Sequence, residues 1–303
     1  MGIEDSDMLA WLRLMRLPAV FTAISNVLCG CFISTPAQTP PALQLWLLAM
    51  TTAGLYLGGM VLNDVFDAAL DAVERPERPV PSGQISRRAA AIFGTLLLVL
   101  GTGTAACLSA ATALYAVLTA TAVLAYNAYL KSTPAGPFGM AACRFLNFVL
   151  GSSVGLSLGT LPSGTVLTAA AALAVYIVGV TWFARNEAAV SSRFGLTGGL
   201  LVLLAGLAID AVLISRQGAT LMSIRGGSMA LLLLGLNLTM RAAAAITRNI
   251  PRLLQQTVGL MLLCLIFLDG ILVFALTGSA DRALTIILLV APALLLKRVI
   301  PMS

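Results

Sequence analysis

The sequence predicts an all-α polytopic membrane protein, and three observations predict it. Hydrophobic residues make up 59% of the 303-residue chain and charged residues only 10%, where a soluble domain carries about 25% charge. Apolar runs of bilayer-crossing length recur from end to end. Helix breakers stand between runs, at Pro40-Pro41, Pro134, Pro137, Pro162 and Pro251. No polar stretch is long enough for a soluble domain, so residues 1–303 read as one membrane domain.

The runs predict helices near 17–35, 43–62, 90–107, 109–130, 138–159, 165–184, 196–214, 228–247, 256–277 and 283–299. The first follows a tail with Glu4, Asp5 and Asp7. A secretory leader starts basic, so this run is expected to be a retained span. The eighth, 228–247, is the weakest because it carries Arg241, and a re-entrant hairpin is the alternative there. Gly54-x-x-x-Gly58, Gly151-x-x-x-Gly155 and Gly155-x-x-x-Gly159 suit close helix contacts.

Charge then orients the spans. With the N-terminus inside, the inner side receives Arg13, Arg16, Arg75, Arg78, Arg87, Arg88, Lys131, Arg185, Arg193, Arg241, Arg248, Arg252, Lys297 and Arg298. The outer side receives Arg216, Arg225 and Arg282. This positive-inside bias puts both termini in the cytoplasm, in the inner or plasma membrane of the cell. It also accounts for the net charge of +6 through the lipid bilayer alone, with no nucleic-acid partner. The chain has no histidine, which excludes histidine metal sites and histidine general bases. Cys29, Cys31, Cys107, Cys143 and Cys264 all lie in apolar runs without a CxxC pair and read as small buried hydrophobes.

The chemistry concentrates after the second run. Five of twelve acidic residues fall within Asp64–Glu77: Asp64, Asp67, Asp71, Glu74 and Glu77. On a helix, residues three and four apart share a face. Asn63, Asp67 and Asp71 therefore align, with Asp64 beside them, at the cytoplasmic end of the span. Carboxylates this close repel unless a cation neutralises them. Hard oxygens suit Mg²⁺, which binds one or two carboxylates plus phosphate oxygens. The loop that follows holds Arg75 and Arg78 in an Arg-Pro-x-Arg-Pro-x-Pro-Ser-Gly stretch that proline keeps extended. An acidic, metal-binding face beside fixed arginines is a cradle for a diphosphate.

Asn63-Asp64-x-x-Asp67-x-x-x-Asp71 resembles the first signature of the UbiA prenyltransferase superfamily. The run from Glu74 to Ser86 is similar to the continuation in its chlorophyll-synthase-like and archaeal-lipid branches, and to the EboC-type proteins. The resemblance implies a UbiA-like bundle of about nine transmembrane helices, to which the tenth run, 283–299, would add an extra C-terminal helix. It implies Mg²⁺-dependent transfer of a prenyl group from a prenyl diphosphate to a hydrophobic acceptor, aromatic acceptors included. Asn63, Asp64, Asp67 and Asp71 would be catalytic, the aspartates as metal ligands, and Arg75, Arg78, Lys131 and Arg185 would bind diphosphate. Tyr126 and Lys131, in Tyr-Asn-Ala-Tyr-Leu-Lys, stand where the family often has tyrosine and lysine.

One departure matters. The family's second aspartate cluster, after the sixth helix, has no counterpart in Thr181–Arg193, where Glu187 is the sole acid. Glu187 with Asn186 would ligate one metal, or Arg185 would take the place of a cation. A non-catalytic lipid or metabolite binding or export component therefore stays open as the alternative. Asn26, Tyr126, Arg144 and Asn147 are expected to face the bundle and line an acceptor pocket, since polar groups inside a membrane turn towards a cavity or partner. Asp269 is expected to pair with an arginine, and neither it nor Asp210 is assigned to the site.

Overall fold

Hydrocarbon offers no partner for a free backbone N–H or C=O, so the apolar runs close their hydrogen bonds within helices. The computed structural model describes residues 3–185 and 192–297, with side-chain surroundings from residue 8 onward. A helix α1 (Ile3–Leu14) precedes the spans. The spans are α2 (Val20–Ser34), α3 (Ala42–Phe66), α5 (Arg87–Ala106), α6 (Ala110–Ala125), α7 (Gly136–Ser152), α8 (Gly164–Ala184), α9 (Arg193–Gln217), α10 (Leu221–Arg248) and α11 (Pro251–Thr277). A short α4 (Ala68–Glu74) extends α3, and two short helices, α12 (Ala280–Ile287) and α13 (Val290–Lys297), follow α11. Among the described residues, nine helices are long and apolar enough to cross a membrane.

Consecutive spans pack side by side, and α11 closes the ring against α2. α2 also packs on α7 across the middle. Glycine permits that central contact. A Cβ at Gly30 would overlap the Phe148 carbonyl, and one at Gly151 the Val27 carbonyl. The α3–α5 contact works the same way, with Gly54 and Gly58 set against Gly101 and Gly94. The expected Gly151–Gly155–Gly159 series is a packing contact only at its first member. A Cβ at Gly155 would meet nothing within 4 Å, and Gly159 takes a φ of +87° in a turn.

Several boundaries differ from the sequence reading: α7 ends at Ser152 rather than near 159, α11 starts at Pro251 rather than near 256, and three further differences bear on the fold. The α3 helix continues beyond residue 62, which puts the acidic cluster on helix. α10 starts at Leu221, seven residues early by its expected start at 228. A capping box sets that start: Thr220 Oγ1 accepts from the Ser223 N–H at 3.1 Å, and Ser223 Oγ accepts from the Thr220 N–H at 3.0 Å. The eighth run is thus one 28-residue helix rather than a re-entrant hairpin. The tenth run, expected as one helix over 283–299, is broken at Leu288–Leu289. Pro292 explains the break, because its ring crowds the carbonyl four residues earlier and it has no N–H to return. α12 packs on α11 and α2, while α13 reaches the Leu17–Ala19 turn at the far end of α2. Arg282 fixes the first half by donating to the Thr35, Pro36 and Gln38 carbonyls at 2.8–3.2 Å. All five cysteines are free thiols; four are buried as expected, and Cys107 is exposed at the end of α5.

Candidate active site

Helical spacing builds the acidic wall. Across a one-residue interruption at Asp67, the Asp67 N–H bonds to Asn63 O, the Asp71 N–H to Asp67 O and the Arg75 N–H to Asp71 O, at 2.8–2.9 Å. The i, i+4 repeat survives from α3 into α4, so Asn63, Asp67 and Asp71 share a face as the spacing predicts. The Asn63 amide donates to Asp64 at 3.3 Å and to Asp67 at 3.2 Å.

Asp64 and Asp71 are each only 3% exposed. A carboxylate that deep must be paired. Arg78 sits 2.7 Å from Asp71 Oδ2 and 3.6 Å from Asp64 Oδ1, and Arg16 sits 3.3 Å from Asp64 Oδ1. The loop holding Arg78 is pinned by packing. Val80 and Ile85 bury themselves against Val61 and Val65 of α3 and Leu14 of α1.

The opposite wall is cationic. α6 ends in a π-helical turn, Tyr126–Leu130, closed by a bond from the Lys131 N–H to Tyr126 O at 3.0 Å. Within it, the buried Asn127 amide donates to Gly59 O at 2.9 Å. The turn aims Lys131 across the gap, where its ammonium donates to Asn63 Oδ1 at 2.8 Å and to the Asp67 carboxylate. Arg185 follows α8 and donates to Thr133 O at 3.1 Å. Glu187 and Asn186 lie outside the described residues.

These walls enclose a polar cleft of about 1080 Å³, including its open mouth. Arg16, Arg75, Arg78, Lys131 and Arg185 line it, with Asn63, Asp67, Asp71 and Glu74. Among the described residues, no three acidic, cysteine or histidine side chains form a ready-made metal cage. Two or three carboxylates on one face, now held by cations, are a donor set that completes a Mg²⁺ shell only with phosphate or water oxygens.

Met60, Tyr126 and Met140 line both the cleft and a second, apolar pocket, a narrow space of about 60 Å³. Leu55, Tyr56, Val123 and Cys143 line it, and Arg144 and Asn147 stand in its wall. Arg144 donates to Asn26 Oδ1 and Thr22 Oγ1, both at 2.9 Å, and its guanidinium lies 5.5 Å from the centre of the Tyr56 ring. Asn147 accepts from Thr52 at 2.8 Å and donates to Ala23 O at 2.9 Å. Asn26, expected to line the pocket, instead lies behind Arg144. Its amide donates to Asp269 Oδ2 at 2.7 Å, which also accepts from Ser25 at 2.6 Å. Asp269, expected to pair with an arginine, does not do so directly: the Asn26 amide stands between it and Arg144.

Arg16 is the cleft residue that sequence reasoning missed. It reads as one more positive-inside charge. Its position depends on a left-handed turn, φ 47° and ψ 46°, between α1 and α2. A non-glycine residue there is strained. Nothing in the local residue pattern announces it.

The family model described as the UbiA prenyltransferase family matches residues 23–246. Curated relatives named digeranylgeranylglyceryl phosphate synthase match over shorter stretches. The one from Methanoculleus marisnigri is 34% identical over 125 residues, covering 41% of this chain and 44% of the relative. The one from Halobacterium salinarum is 32% identical over 158 residues, covering 51% and 53%. The chain thus spans about half the length of the curated relatives it matches. A solved structure from work on digeranylgeranylglyceryl phosphate synthase in membranes superposes with a TM-score of 0.64 at 17% identity, covering 90% of this chain and 100% of that one. A UbiA homolog from Archaeoglobus fulgidus bound to DMAPP and Mg²⁺ gives 0.56 at 15% identity, covering 91% and 98%. At these identities the likeness to solved structures is one of fold.

Proposed function

Since this chain belongs to the UbiA prenyltransferase family, we propose that it transfers a prenyl group from a prenyl diphosphate to a hydrophobic acceptor with the help of Mg²⁺. The observation that carries this reading is the juxtaposition of an acidic wall, a cationic wall and an apolar pocket that shares Met60, Tyr126 and Met140 with the cleft. Breaking an allylic C–O bond requires a stabilised leaving group and a dry place for the carbocation.

Asn63, Asp64, Asp67 and Asp71 would hold Mg²⁺ through hard oxygens, and the ion when bound would neutralise diphosphate charge. The A. fulgidus homolog binds that ion with a prenyl diphosphate, which supports the assignment here. Lys131 and Arg185 would take the diphosphate from the other side, with Arg75, Arg78 and Arg16 at the mouth. Salt bridges such as Lys131–Asp67 and Arg16–Asp64 would exchange their carboxylates for phosphate oxygens when the donor arrives. Leu55, Met60, Val123 and Met140 would exclude water from the cation. The positive-inside bias puts the cleft at the cytoplasmic face, where soluble prenyl diphosphates arrive. The name of the curated relatives makes a prenylated glyceryl phosphate the first acceptor to try.

The test is Mg²⁺-dependent diphosphate release by purified protein. Geranylgeranyl or farnesyl diphosphate would be the donor and a host lipid extract the acceptor pool. Release by wild type and not by Asp67→Asn supports the reading. Donor binding without release in any acceptor pool would favour a carrier instead.

A further inference from the structure

The turn that carries Arg16 is held in a conformation its own residues do not favour. Arg16 takes φ 47° and ψ 46°, left-handed backbone that costs free energy for any residue with a Cβ. Such a conformation persists where the surrounding structure over-determines it. Upstream, α1 buries Ala10 and Leu14 in one cluster with Val61 and Val65 of α3. Downstream, Pro18 and Ala19 are buried, and the main tertiary contact of the Leu17–Ala19 turn is with α13.

α13 is the inner half of a strap that runs along α2. The outer half is anchored by Arg282, which clamps the carbonyls after α2 and lies 5.9 Å from the centre of the Phe32 ring. Beyond the break at Leu288–Leu289, α13 carries on to the opposite end of α2. Leu289, Ala293 and Leu296 share one face of this half by their spacing. Ala293 at the centre of that face is fully buried, while Leu294 and Leu295 are exposed. A residue as small as alanine lets the two backbones come close.

The turn in turn sets where a cleft cation sits. Arg16 lies 3.3 Å from Asp64 Oδ1 and lines the cleft. A return to right-handed backbone would change φ by about 110° and swing the guanidinium away from Asp64. We propose that α13 is a strut for this turn, and that Ala293 is a positioning residue acting through Arg16, whose guanidinium meets the donor diphosphate. This rests on the prenyl-transfer reading above. No described residue of α13 lines the cleft, so its effect on the donor passes through the turn alone.

The experiment measures equilibrium binding of the unreactive donor geranylgeranyl thiodiphosphate to purified protein with Mg²⁺, with Arg16 present and in Arg16→Gly. Ala293→Leu wedges α13 off the turn. With Arg16 present it should weaken donor binding about tenfold, and in Arg16→Gly it should cost nothing further, because both changes remove one contact. Glycine also holds φ 47° without support. Ala293→Gly preserves the close approach and should keep wild-type affinity. Ala293→Val is a smaller step of the same kind and serves if the leucine variant does not fold. An equal loss in both backgrounds, no loss in either, or a fall in melting temperature with affinity unchanged overturns the proposal. Wild type that binds no donor overturns this proposal and the prenyl-transfer reading together. Wild type that binds the donor but never releases diphosphate from a reactive one overturns the prenyl-transfer reading alone.

Discussion

The two walls of the cleft differ in charge and in how the backbone makes them. On the α3–α4 side, an ordinary helical repeat lines up Asn63, Asp67 and Asp71. On the α6–α8 side, a π turn and a helix end present Lys131 and Arg185, and the described residues there contribute no acid to the cleft. A site symmetric in metals would need acids on both walls. Among the described residues the cleft is polarised, with carboxylates of α3 and α4 facing Lys131 and Arg185, so under the proposed function a diphosphate would meet metal-binding oxygens on one side and cations on the other.

That polarity can be broken one residue at a time. The largest effect is expected from Asp67→Asn, which removes charge from the middle of the acidic wall. Turnover should fall by about 10²–10³-fold or more, measured as diphosphate release, with the helical circular dichroism unchanged. Lys131→Met strikes the other wall. It should cost about 10²-fold in the same assay, and it should raise the donor KM, because the ammonium acts on the diphosphate. If Lys131→Met were silent while Asp67→Asn was dead, the polarised scheme would give way to one in which the acidic wall acts alone.

Arg16→Gly sharpens the comparison at the seam between the walls. Glycine adopts φ 47° without strain, so this variant removes the guanidinium and spares the turn. About a tenfold loss of kcat/KM with no drop in melting temperature is expected; a drop in stability alone would make Arg16 a hinge and nothing more. The smallest effect belongs to a site remote from both walls. Thr220→Ala should lower unfolding free energy by about 1 kcal/mol through the lost α10 cap and leave turnover alone.

The acidic wall was legible in the sequence because it is local. Spacing of four along one helix puts Asn63, Asp67 and Asp71 together whatever the rest of the chain does. Lys131 was legible as the end of a span, though not its pairing with Asp67, which needs α6 beside α3. Arg16 and the Asp269–Asn26–Arg144 chain were less so. Asp64 and Arg16 are joined across 48 residues by a strained turn. Asp269 meets Asn26 across 243 residues, only because the ring of spans closes on itself. The break in the tenth run did have a local sign, Pro292, hidden by the apolar residues around it. The late start assigned to α10 has a similar cause: Ser223 and Arg225 interrupt an apolar run but not a helix.

The π turn at Tyr126–Leu130 bears on how such a site can change over generations. Each residue of an α-helix rotates the next by about 100°, and one wide turn accommodates an extra residue without re-registering the rest of α6 against the lipid. Loss of a single codon in this stretch would swing Lys131 away from Asp67 while the hydrophobic face of the span stayed put. A gain at the same point would swing it the other way. Insertion and deletion, normally ruinous inside a membrane helix, become at this position a means of re-aiming one cation.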